Sequence, residues 1–115
     1  MTEGCIFCRI IAGEIPGDFV FQDSEIVAFR DVHPVATTHI LIVPRKHVVS
    51  VQELEEEDVG LVGRMVLRAR RLAEQEGIGE RGYRLVVNCG VEGGQVVPHL
   101  HLHLIGGRKL RDSLG

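Results

Sequence analysis

The segment His99-Leu100-His101-Leu102-His103-Leu104-Ile105 alternates histidine with an apolar residue without a break. A β-strand places successive side chains on opposite faces, so the three histidines share one face and Leu100, Leu102 and Leu104 the other. The leucine face requires a hydrophobic layer. The histidine face requires hydrogen-bond partners or water, because a buried imidazole without partners is costly. The chain is therefore expected to build a sheet with a core on one side and a row of reactive side chains on the other.

The rest of the pattern supplies the layer. Glu53 to Gly77 reads as one long helix, acidic at its start (Glu53, Glu55, Glu56, Glu57, Asp58) and basic later (Arg64, Arg68, Arg70, Arg71). That order complements the helix macrodipole. Val59, Val62, Val66, Ala69 and Ala73 form its expected apolar stripe. Residues 5–12 predict a short amphipathic helix ended by Gly13. Asp18–Gln22 and Glu25–Arg30 predict a hairpin turning at Asp23-Ser24, followed by a loop over 31–38. His39–Val43 reads as a buried strand stopped by Pro44, which cannot donate to a ladder. Tyr83–Asn88 reads as a further strand, Cys89–Val96 as a glycine-rich loop, and Pro98 as the entry to the histidine strand. Strands on both sides of one long helix predict an α+β fold with a mostly antiparallel sheet. At 115 residues, a single domain over 1–115 is expected.

Composition removes several functions. Thirteen basic and sixteen acidic residues leave a net charge of −3, so no basic surface calls for nucleic acid or an anionic membrane. No apolar run approaches the roughly 18 residues of a membrane span. The N-terminal MTEGCIFCRII lacks a positive n-region and a cleavage site, so a cytoplasmic protein is expected. Cys5, Cys8 and Cys89 are an odd number, which suits reduced thiols or a metal better than a disulfide framework.

Two chemistries use a row of imidazoles. Zinc accepts them, but His99 and His103 lie roughly 13 Å apart along a strand, so one ion cannot take all three. Residues 93–105 also contain no Asp or Glu for a carboxylate-type metal site. Phosphoryl or nucleotidyl transfer is the other chemistry: one histidine attacks phosphorus while its neighbours donate to phosphate oxygens and protonate the leaving group. A face free of carboxylates suits an anionic substrate, and Gly93-Gly94-Gln95 allows close backbone approach to a phosphate. Cys5-x-x-Cys8 is open to three readings: a redox pair, two buried thiols, or half of a tetrahedral zinc site with His47 and His99 as spare ligands.

The motif His-φ-His-φ-His-φ-φ over 99–105, with IFCRIIAGEIP, AFRDVHPVATTHILIVPRKH and YRLVVNCGVEGGQVVPHLHLHLIGGR, resembles the histidine triad superfamily. It is most similar to the Hint-like branch. The resemblance implies a five-stranded antiparallel sheet with one long and one short helix, and a homodimer. It also implies a nucleotide hydrolase or transferase acting at the α-phosphorus of purine nucleotide conjugates of the AMP or GMP type. His101 would be the nucleophile, His103 the phosphate contact and proton donor, and His39 a supporting histidine. Asp31 would hold the ribose hydroxyls, and Asn88, Gly94 and Gln95 would stand beside the phosphate. Phe7, Ile10, Phe29 and Val32 would wall the base. A structural zinc on Cys5, Cys8, His47 and His99 is implied as in some bacterial-type relatives, with no organic cofactor. Val96 departs from the Ser or Thr that often follows the matching Gln, and the tail KLRDSLG lacks the aromatic-proline ending of some relatives. The alternatives are a nucleotide-binding regulatory module with low turnover, a dinucleoside polyphosphate hydrolase, or an enzyme that depends on the metal.

Overall fold

A computed structural model describes residues 4–115. The central strand is β3 (Thr38–Pro44), seven residues that are all buried. Its alternation divides two layers: Ile40 and Ile42 face one cluster, Leu41 and Val43 the other. Around it lie α1 (Ile6–Ile11), β1 (Phe19–Gln22), β2 (Ile26–Arg30), α2 (Val59–Gln75), β4 (Tyr83–Val86) and β5 (Leu102–Gly106). The five strands form one antiparallel sheet in the order β1-β2-β3-β5-β4. The expected α+β architecture is the observed one.

Helix α2 covers the leucine face. Leu100, Leu102 and Leu104 pack with Ile40 and Ile42 against Leu61, Met65, Ala69, Leu72 and Ala73. The helix buries this Leu/Met-rich stripe and not the valine stripe: Val59 and Val66 are exposed and Val62 is half-buried, while Ala69 and Ala73 go inside as expected. The valines sit around the helix from the longer side chains that fill the space above β3 and β5. The helix also starts later than the acidic run implied. Glu53 and Glu56–Asp58 lie in two 3-10 turns (Val51–Glu53 and Glu56–Asp58), separated by extended Leu54. There Glu55 N donates to Asp58 Oδ2 at 2.9 Å while Lys46 Nζ donates to Oδ1 at 2.8 Å, a local cap and an ion pair that between them occupy both Asp58 oxygens. Neither terminal turn of α2 carries the charges expected of a macrodipole complement.

The opposite face is covered as well. Phe7 and Ile10 of α1 pack with Cys5 on Val27, Phe29, Leu41 and Val43. The ladder of β5 begins only at Leu102, because Leu100 N bonds to Val48 O at 2.7 Å instead of joining β3. The alternation nevertheless persists through this extended lead-in, with His99 and His101 buried on the α1 side. Strand β4 stops at Val86, two residues short of the expected Asn88, and forms one edge of the sheet. Among the described residues, no helix is long and apolar enough to cross a membrane.

Candidate active site and metal cluster

A cavity of about 910 Å³ opens between α1, the loop after β2 and the histidine row. This is within the usual range for a small-molecule site. Phe7, Ile10 and Phe29, all buried, make its apolar end, with Phe7 edge-on to Phe29 at 5.5 Å between ring centroids. His101, His103, His39, Asp31, Asn88 and Gly94 line the polar end. Val32 lines the mouth and is 83% exposed, so it offers a rim more than a wall.

The wiring of each imidazole follows from its neighbours. His101 Nδ1 lies 2.7 Å from the carbonyl oxygen of His99, which can only accept. The proton is therefore on Nδ1, and Nε2 keeps its lone pair. Phe7 braces the ring edge-on at 5.0 Å. Burial lowers the His101 pKa below the ordinary value, so that nitrogen stays available at neutral pH. Val35 N donates to His39 Nδ1 at 3.1 Å, which puts the His39 proton on Nε2. From there it points to His103 Nδ1 at 2.9 Å and lies 3.4 Å from Asp31 Oδ2. His103 thus accepts at Nδ1 and carries its proton on Nε2. Burial, and then the neighbouring imidazoles of His101 and His39, bring the His103 pKa down to about 4. Asp31, His39 and His103 converge closely enough to resemble a ligand set. The backbone donor on His39 Nδ1 leaves that ring no free lone pair for a metal.

The glycine-rich loop is built around close backbone contacts. A Cβ on Gly93 would collide with Cys89 O, and Gly94 has φ of +82°. Asn88 Nδ2 donates to Gly93 O at 2.7 Å, closing the segment that follows β4 onto the loop. Gln95 differs from expectation. Its Nε2 donates to Val49 O and Val97 O, its Oε1 accepts from Gly90 N, and it does not line the cavity. It braces the loop from behind. Leu41 and Val35, which no motif in the sequence singles out, also line the cavity. Leu41 was recoverable, because it lies two residues from His39 on the same face of β3.

Four donors meet beneath the histidine row. Cys5 Sγ and Cys8 Sγ lie 3.2 and 3.5 Å from His99 Nδ1, and His47 Nδ1 lies 3.2 Å from both Cys8 Sγ and His99 Nδ1. A tetrahedral zinc with bonds of about 2.0 Å to nitrogen and 2.3 Å to sulfur separates N from S by about 3.5 Å and N from N by about 3.3 Å. The cluster matches that spacing. His99 Nε2 lies 2.8 Å from Pro44 O and so carries the proton, which aims the Nδ1 lone pair at the centre of the cluster. Burial, with Cys5 beside it, pushes the Cys8 thiol up to about 11, so ligation requires a cation to displace its proton. The residues fit zinc.

The fold and site define an antiparallel α+β protein with a histidine-lined pocket, and the HIT domain family matches residues 12–110. The chain belongs to this family. It is 50% identical over 114 residues to a purine nucleoside phosphoramidase of Escherichia coli, covering 99% of this chain and 96% of the relative. A HIT family hydrolase from Legionella pneumophila superposes with a TM-score of 0.95 at 47% identity, covering 97% of this chain and 100% of that one. A zinc-bound histidine triad family protein from Mycobacterium smegmatis superposes with a TM-score of 0.81 at 28% identity, covering 100% of this chain and 82% of that one.

Proposed function

We propose that the protein hydrolyses purine nucleotide conjugates at the α-phosphorus, nucleoside phosphoramidates foremost, through a nucleotidyl intermediate on His101. The enzyme class, a hydrolase of the HIT family, rests on the relatives described above. The observation that carries the finer reading is the tautomer of His101. With Nδ1 committed to His99 O, the unprotonated Nε2 is free at a cavity that also presents His103.

In the first half-reaction His101 Nε2 bonds to phosphorus as the phosphorus–nitrogen bond breaks. The departing amine takes a proton from His103, whose pKa rises once an anionic phosphoryl group is beside it. In the second half-reaction water attacks the same phosphorus, frees His101 as the nucleoside monophosphate departs, and returns a proton to His103. Asp31 accepts from the ribose hydroxyls, and Phe7, Ile10 and Phe29 enclose the base. Zinc on Cys5, Cys8, His47 and His99 is structural in this reading, since four protein ligands leave no open position. The zinc-bound relative supports it. Three free cysteines among the described residues suit the reducing cytoplasm.

Steady-state release of AMP from adenosine 5′-phosphoramidate, with and without chelator, tests this reading. His101→Ala should lower kcat by several orders of magnitude, about 5 kcal/mol or more of barrier, while nucleotide binding persists. Retention of a tenth of the wild-type kcat would reject covalent catalysis by His101. Val96, 89% exposed at the cavity mouth, favours a second reading, a nucleotide-binding module with slow turnover. Tight nucleotide binding without AMP release would establish it.

A further inference from the structure

We propose that Glu76, at the end of α2, is a positioning residue for ribose recognition. Acting through Arg30 and Thr38, it sets the two strand ends from which Asp31 and His39 project into the cavity. The inference rests on the reading of Asp31 as the ribose ligand.

Glu76 caps the C-terminus of α2, far in sequence from the loop it holds. Arg30, the last residue of β2, grips it with both terminal nitrogens, Nη1 to Oε1 at 2.9 Å and Nη2 to Oε2 at 2.8 Å. Thr38, the first residue of β3 and buried, donates from Oγ1 to the same Oε1 at 3.3 Å. One carboxylate therefore holds both mouths of the 31–38 loop. The forked pair fixes the plane of the guanidinium, which a single-point contact would not. The Arg30 guanidinium in turn holds the Glu76 carboxyl below the usual carboxylate range.

Alternation carries this effect to the site. Arg30 pairs with Ile40 in the sheet, and Ile40 packs on the α2 side, two residues from Thr38. Asp31 and His39 are each one residue further on, so their side chains turn to the opposite, cavity side. They meet there at 3.4 Å, and Asp31 N donates to His39 O at 2.9 Å, extending the ladder by one step. Asp31 Oδ1 accepts from His33 N at 2.8 Å, so its carboxylate is oriented by the very loop that the clip anchors. Glu76 touches neither substrate nor reacting atoms. Its contribution is the direction of the Asp31 carboxylate.

The test compares adenosine 5′-phosphoramidate with its 2′,3′-dideoxyribose analogue in wild type, Asp31→Asn, Glu76→Gln and the double variant. Glu76→Gln should raise KM for the ribose substrate about tenfold, with kcat almost unchanged, the scale of one charge-assisted hydrogen bond. KM for the dideoxyribose analogue should not move, and Glu76→Gln should add little on top of Asp31→Asn. If Asp31→Asn abolishes the ribose preference and Glu76→Gln leaves it intact, the inference is wrong while the ribose reading stands. If Asp31→Asn itself leaves the preference intact, the ribose reading falls and takes the inference with it. Should Glu76→Gln fail to fold, Arg30→Lys, which keeps the charge but loses the fork, is judged by the same ratio of KM values.

Discussion

Each imidazole of the site has one assigned proton because a neighbouring group decides it. The carbonyl of His99 fixes His101, the amide of Val35 fixes His39, and His39 fixes His103. Burial keeps this set uncharged, and the cost of charging it appears in stability. The His103 pKa is about 4 in the folded chain against roughly 6.5 when unfolded. Between those values the unfolded state binds the proton and the folded state does not. The contribution is therefore fully present above about pH 6.5 and is lost as pH falls toward 4. His103→Asn should reduce the slope of unfolding free energy in that window by up to one proton, about 1.4 kcal/mol per pH unit. Urea titrations across the window measure it, and an unchanged slope would refute the assignment. The triad itself was legible in the sequence, since three co-facial histidines announce a site. Gln95 departs from the expected phosphate-side position for a physical reason. A side chain beside a phosphate loop and one bracing that loop from behind share the same position in the chain, and only its hydrogen bonds to Val49 and Val97 separate them.

At the level of elements, α1 matters more than its six residues suggest. It brings Phe7 onto both His99 and His101, and its anchors Cys5 and Cys8 meet His99 and His47. Metal binding there would fasten α1 to the lead-in of β5 just where the ladder has not yet begun. Cys5→Ser should lower zinc content and the melting temperature together, the latter by roughly 5 °C or more. Well under one zinc per chain in the purified protein, with melting unchanged by Cys5→Ser, would leave the pair as two thiols. The strand faces and the order of elements were readable because period-two alternation survives even in extended chain without ladder bonds. The start of α2 was not. Acidic residues suit a helix N-terminus and a 3-10 turn alike, and the Glu55–Asp58 cap is settled by geometry that no periodicity reports. The valine stripe failed similarly, because hydrophobicity alone does not tell which of two adjacent helix faces meets the larger side chains.

The whole molecule leaves β4 as a half-buried sheet edge, with Val66 of α2 and Val87 exposed beside it. Unpaired edges invite pairing, and a homodimer that continues the sheet through β4 would cover this one. Light scattering at micromolar concentration should give about twice the chain mass of 12.7 kDa; a value near 12.7 kDa would overturn the dimer. Whatever its assembly, the proposed chemistry turns on a covalent bond between phosphorus and His101. Stereochemistry at phosphorus tests it most directly. An adenosine phosphoramidate made chiral with sulfur at phosphorus is hydrolysed in oxygen-18 water, and the configuration of the product is determined. Two successive in-line displacements, first by His101 and then by water, give net retention, which is the expected result. Net inversion would mean that water attacks phosphorus directly, and the nucleotidyl-histidine would be excluded.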